Sequence, residues 1–232
     1  MGLSIKTCYT VKIQKQLDVT QDKTTEKLNI TRERAVDSRL MRQTSLVCLE
    51  ALKFCVSVIS EEWDTIMSVE SKLRKRLIDT LVHRTKTAAP KYPEFDLRFP
   101  KMPGYTRRAI IADAFGMVKS YRSNHKNWEE TPPMERGAEP KLGLPSRYEL
   151  TFYDQERKMS CLADGQIGLK LYNGQTWNWY YFQISPSDAK QISLLSKTRK
   201  MLSPIVDKVR GRYQIRFTFE EIRELVQDED KL

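Results

Sequence analysis

The stretch Gln166–Ser185, "QIGLKLYNGQTWNWYYFQIS", decides the class of fold. Two runs rich in β-branched and aromatic residues flank Asn173-Gly174, the strongest short hairpin signal a sequence offers. In an alternating strand Trp177, Trp179 and Tyr181 share one face, while Tyr180 and Phe182 take the other. One row lines a core. The second row, with Tyr172 nearby, either packs against a neighbouring element or stacks on bases, because aromatic rings accept bases with little sequence preference.

The β pattern extends on both sides of this hairpin. "RYELTFYD" from Arg147 and "KMSCLADG" from Lys158 precede it, with Asp164-Gly165 as a further hairpin signal. Downstream, "SPIVDKVRGRYQIRFTFEEI" reads as a hairpin turning at Arg210-Gly211. At the opposite end of the chain, Ile5 to Ile13 reads as a first strand, and residues 14 to 30 read as a connection. Short strands and tight turns predict a small antiparallel β-barrel or curled sheet, with the first strand returning to close it.

Between these strands the period becomes helical. Val36, Leu40, Thr44, Val47, Ala51, Cys55, Val58 and Ile59 recur at threes and fours from about Arg32 onward. A second helix is expected with Ile66, Val69, Leu73, Leu77 and Leu81 inward. The Pro-rich stretch 88 to 104 reads as an irregular connector, and Thr131 to Pro145 closes the helical region. The expected fold class is therefore α+β, an antiparallel barrel or curled sheet with an inserted helical bundle. The expected boundaries are 1–14 for the first strand, 15–144 for the insertion, 145–226 for the rest of the barrel and 227–232 for an acidic tail.

The segment Arg107–Trp128, "RRAIIADAFGMVKSYRSNHKNW", is the most informative of the helices. Successive residues advance by about 100 degrees. Lys119, Arg122 and Lys126 then fall within about 40 degrees of Arg108, beside an apolar face of Ile110, Ile111, Ala114, Met117, Val118, Tyr121 and Trp128. From Arg98 to Lys126 there are seven Lys or Arg and one acid, Asp113. Such a row suits the sugar-phosphate backbone, where arginine grips a phosphate with two donors and lysine with one charge. It also suits a solvated edge on a helix that only supports the core. Arg107, Arg108, Lys119, Arg122 and Lys126 are the candidate contacts, and Lys197, Arg199, Lys200, Arg210 and Arg212 add cations around the later strands.

Composition agrees with a globular chain: 232 residues, 30% charged and 40% hydrophobic. Its net charge of +10 favours an anionic partner, of which nucleic acid is the commonest large example. Four cysteines form no CxxC pair and the histidines are His83 and His125, so zinc-finger spacing is absent and no metal or cofactor is expected. Cys48 and Cys55 read as core. No nucleophile or acid pair accompanies His125 at useful spacing, which reads as a satisfied histidine. No run of eighteen apolar residues is seen, which predicts a soluble, cytoplasmic protein with no membrane partner.

Taken together, "RRAIIADAFGMVKSYRSNHKNWEE", "LPSRYELTFYDQERKM", the "YNG…W.W" strands and the final "LSPIV…RYQIRFTFE" hairpin resemble the N-terminal part of TnpB-like proteins. These are transposon-encoded relatives of RNA-guided nucleases, also described as OrfB-type transposases. The resemblance spans roughly residues 30 to 226. It implies a wedge-like barrel with an inserted recognition lobe that holds a guide RNA and its heteroduplex with target DNA, read by shape and backbone. In that family a RuvC-like nuclease domain with three metal-binding acids follows, and this chain stops at Leu232 before it. The expectation is a nucleic-acid-binding, transposase-like part that does not cut DNA alone, paired at most with a separately encoded nuclease domain. A structural or protein-binding domain is the rival reading.

Overall fold

A computed structural model describes residues 2–21, 28–86, 88–153, 157–158 and 164–224. The chain folds as a mixed α+β protein with two antiparallel sheets and several helices. It divides into two compact units, one comprising 1–38, 149–171 and 178–232, the other 39–148 and the hairpin tip 172–177.

The first unit holds the strands. β1 (Gly2–Lys12) pairs along its length with β10 (Arg212–Glu224), Gly2 opposite Glu224 and Lys12 opposite Gln214. β10 also pairs with β8 (Lys200–Met201) and with β9 (Ile205–Val209), and β9 pairs with β4 (Leu150–Thr151). Along β10 the alternation is strict: Ile215, Phe217 and Phe219 are fully buried and the residues between them are not. Each such side chain contributes about 1.5–3 kcal/mol of burial. The turn joining β9 to β10 places Arg210 at φ 49° and Gly211 at φ 80°, the left-handed pair that a tight hairpin requires.

The second sheet of this unit runs in the order β3 (Leu28–Arg34), β2 (Lys15–Gln21), β7 (Trp177–Gln183), β6 (Gln166–Tyr172), β5 (Arg157–Lys158). The Asn173-Gly174 turn forms as expected. Asn173 Oδ1 accepts from the amides of Gln175 (3.0 Å) and Thr176 (2.8 Å), and Gly174 takes φ 97°. Residues 159–163 of the expected Asp164-Gly165 hairpin lie outside the described residues, although β5 and β6 pair antiparallel on either side of them.

Residues 14 to 30, expected as a connection, instead carry β2 and the start of β3. These strands lack the apolar alternation that marks a buried face. Leu17 is the buried apolar residue in β2, beside buried Gln16. Cross-strand ion pairs replace it, Arg34 with Asp18 at 3.1 Å and Lys15 with Glu33, and Thr31 Oγ1 donates to the Asp18 carbonyl at 3.0 Å. A helix, α6 (Pro186–Thr198), stands within the stretch 145–226, where strands were expected. Its start is capped by Ser185, whose Oγ accepts from the Asp188 amide at 3.1 Å, and Pro186 occupies the first turn, where its missing N–H is no loss.

The other unit is helical. α1 (Ser38–Glu61) buries Met41, Thr44, Cys48, Leu52, Cys55 and Ile59 along one face. Burial pushes the Cys55 thiol up to about 12, so it stays protonated and inert. The expected second helix is two, α2 (Trp63–Ser68) and α3 (Arg74–Val82), with a turn at 71–73. That break resets the helical phase. Ile66, Ile78 and Val82 are buried while Leu73, expected inward, is exposed. The Pro-rich connector contains a short helix, α4 (Glu94–Arg98), started by Pro93. Its Phe95 and the following Phe99 pack edge-on against Phe54 at 5.6 and 6.3 Å. α5 (Gly104–Glu130) is the expected cationic helix, and the segment after it forms turns and coil.

α1 corrects the expectation of a cytoplasmic, purely soluble, transposase-like domain without a long apolar segment. It is long and apolar enough, by length and composition, to cross a membrane, and half of its apolar stretch is buried within the protein. The count of consecutive apolar residues missed it because polar Thr44, Ser45 and Ser57 and charged Glu50 and Lys53 interrupt the run.

Candidate nucleic-acid interface

α5 divides the candidate cations by environment. Arg107 is not at the surface. It is buried, and its Nε donates to Asp79 Oδ1 on α3 at 2.6 Å. Its neighbour Arg108 is exposed and lies over the Tyr105 ring at 5.3 Å. Lys119, Arg122 and Lys126 are exposed as well, about three to five turns further along the same side. Lys126 approaches Glu130 at 3.6 Å, a surface pair of little consequence. Arg122 is held more firmly: Nη2 donates to the Ser60 carbonyl at 3.3 Å and the guanidinium lies 5.8 Å from the centre of the Trp63 ring.

On the adjoining side of α5 a groove of about 590 Å³ is lined by Asp113, Gly116, Met117, Ser120, Tyr121 and Lys141, among others. The Tyr148 hydroxyl donates to Asp113 Oδ2 at 2.7 Å. Loss of hydration raises the Asp113 pKa above the ordinary carboxylate value, and the Tyr148 hydrogen bond and the nearby Lys75 charge oppose that rise.

The aromatic candidates near the end of α5 serve its terminus. Tyr121, His125 and Trp128 form a ladder with ring centres 5.7 Å apart at each step. The Trp128 indole donates to the Gly137 carbonyl at 2.9 Å, and His125 Nε2 meets Glu139 at 3.2 Å. Arg136 closes the helix: it donates to the Thr131 carbonyl at 2.7 Å and to that of Glu129, and lies 5.0 Å over Trp128. These carbonyls are among those a helix end leaves unmatched.

Of the strand aromatics, Trp177 and Tyr181 are buried and act in packing. Tyr172 lies against Trp177 at 5.3 Å and donates to the Gly174 carbonyl at 2.9 Å. Trp179 is half-buried, with Lys170 6.0 Å from its ring centre. In the strand unit Lys197, Lys200, Arg210 and Arg212 are exposed. Arg199 is engaged, its Nε 3.0 Å from Glu221 and its Nη1 donating to Thr7 at 3.1 Å. Among the described residues no three His, Cys, Asp or Glu side chains converge as metal ligands would.

Sequence reading missed Trp63 and Phe115, which stack at 6.0 Å with their planes 26° apart. The helical phase of Phe115, within about 20 degrees of Arg108, was the available signal. Trp63 carried none, because α2 begins only after the break that follows α1.

The charge is uneven between the units. The helical unit has 20 Lys and Arg against 13 Asp and Glu, a net of +7, and the strand unit 20 against 17, a net of +3. What emerges is an α+β chain whose basic character is concentrated in an inserted helical unit. A protein-family model, the Aq_aa04 family, matches residues 24–173, and the chain belongs to that family. No curated protein matches it.

Proposed function

We propose that the chain binds nucleic acid without catalysis, through the sugar-phosphate backbone, along the exposed side of α5. The observation that supports this most is the row Arg108, Lys119, Arg122 and Lys126, four exposed cations on one side of a single 27-residue helix in the more basic unit. Backbone contacts of this kind position a ligand without reading its sequence. Arg107 has no part in the row, since its charge is spent on Asp79.

We also infer that the two sheets form one curled, barrel-like body. Support comes from the chain crossing from one sheet to the other at Ile13 and Gln14. The Ile13 amide donates to the Tyr213 carbonyl (3.0 Å) and the next amide donates to the Gln183 carbonyl (2.9 Å). β4 and β5, consecutive in the chain, likewise pair in different sheets. Such corner strands are how small barrels close.

The test is fluorescence anisotropy with labelled structured RNA and duplex DNA at fixed, low salt. Replacing Arg108, Lys119, Arg122 and Lys126 together by Ala is expected to weaken binding at least tenfold while the thermal midpoint stays within a few degrees. Unchanged affinity in the quadruple variant contradicts the assignment.

A further inference from the structure

The groups around Trp63 form a column. Phe115 and Arg122 are two helical turns apart, about 10.5 Å along α5. The Trp63 ring centre is 6.0 Å from the Phe115 ring and 5.8 Å from the Arg122 guanidinium carbon. The indole therefore fills the space between them, giving the order Phe115, Trp63, Arg122 along the helix.

Each layer fixes the next. Phe115 comes from α5 and Trp63 from the first position of α2, so the stack ties two helices. The bond from Arg122 Nη2 to the Ser60 carbonyl at the end of α1 sets the guanidinium against a third. A long side chain ordinarily gives up rotamer freedom on binding, and one already fixed by a ring and a carbonyl gives up less. Arg122 is nevertheless exposed, with Lys119 about one turn before it and Lys126 about one turn after on the same side.

A planar cation fixed at the exposed end of an aromatic column, between two point charges, is more than a phosphate contact requires. Lysines suffice for phosphate alone. A guanidinium plane accepts a flat π-system, and unpaired bases stack on such planes as they do on aromatic rings. Bases inside a duplex already stack on each other and do not present a face.

We propose that Arg122, backed by Trp63 and Phe115, is a stacking platform for an unpaired nucleobase, with Lys119 and Lys126 holding the flanking phosphates, so that the α5 site selects single-stranded over duplex nucleic acid. This rests on the backbone-binding reading of α5 and adds a specificity that the charges alone do not supply.

The experiment measures anisotropy with three labelled 12-mers at one salt concentration: a single strand, its duplex, and a single strand of equal charge made of abasic nucleotides. The proteins are wild type, Arg122→Lys and Trp63→Phe. Wild type is expected to bind the single strand about 5- to 100-fold more tightly than the abasic strand, the range of one base stack. Arg122→Lys keeps the charge and loses the plane. It should lose most of that preference while its duplex affinity and salt dependence stay within twofold of wild type. Trp63→Phe, which keeps an aromatic layer, should retain at least half of the preference. Equal wild-type binding of the abasic and ordinary single strands overturns the platform, as does an Arg122→Lys protein that still discriminates. Salt-dependent binding that ignores base and strandedness overturns the platform alone. No binding to any of the three overturns the backbone-binding reading together with it.

Discussion

Up to Val118, α5 is a core helix, and beyond it no residue is buried. The same residue types serve both parts differently. In the first part Arg107 is removed from water and spends its charge on Asp79. In the second, Arg122 keeps its charge at the surface and is oriented by a ring and a carbonyl. Residue type and helical spacing predict which side chains share a side. Burial decides which remain available to a partner, and burial is set by α3 packing on the first part of α5.

The largest expected effect breaks that contrast at its buried end. Arg107→Ala leaves Asp79 without its partner and should cost about 3–5 kcal/mol of stability, the usual loss when one member of a buried pair is removed. Urea denaturation measures it. A loss below about 1 kcal/mol would mean that the pair is hydrated after all.

At the exposed end, Arg136→Ala removes hydrogen bonds to the Glu129 and Thr131 carbonyls and the cover over Trp128. About 1 kcal/mol of destabilisation is expected, since the bonds are partly hydrated. Amide exchange should rise in the last two turns of α5 and stay unchanged before Val118. Uniform acceleration along the helix would show that its two parts are one cooperative unit.

Gly116 lies near the boundary, and a Cβ built there meets nothing within 4 Å. Gly116→Ala should therefore stabilise the protein by about 0.5–1 kcal/mol, because glycine inside a helix is costly and no neighbour requires it. A destabilised variant would show that the groove over Gly116 closes in solution.

The smallest effect concerns pH. The Asp113 carboxyl has a raised pKa in the folded protein, so the folded state holds its proton more tightly than the unfolded state. Wild-type stability should thus fall as pH rises from the ordinary carboxylate value through the folded one, and Asp113→Asn should not show that fall. Denaturation midpoints of the two proteins between pH 3 and pH 7 check this. Parallel profiles would remove Asp113 from the account.

Much of this contrast was legible in the residues. The Asn173-Gly174 and Arg210-Gly211 turns form with Gly174 and Gly211 at positive φ, which suits glycine, and α5 forms because its apolar positions follow one helical side. The strands β2 and β3 were illegible because ion pairs across the ladder, not an apolar face, accompany them. α6 was overlooked although Ser185, Pro186 and Asp188 mark a helix start, since it lies between segments read as strands of one barrel. The interior position of Arg107 depended on Asp79, twenty-eight residues away, and no local spacing reveals that.

The central claim is that the exposed cations of α5 meet a phosphate backbone, and the salt dependence of binding tests it most directly. The logarithm of the association constant for a single-stranded oligonucleotide should fall linearly with the logarithm of salt concentration. Replacing Arg108, Lys119, Arg122 and Lys126 together should make that slope shallower by about 2–3, at about 0.7 per neutralised phosphate. An identical slope in wild type and quadruple variant would contradict the account.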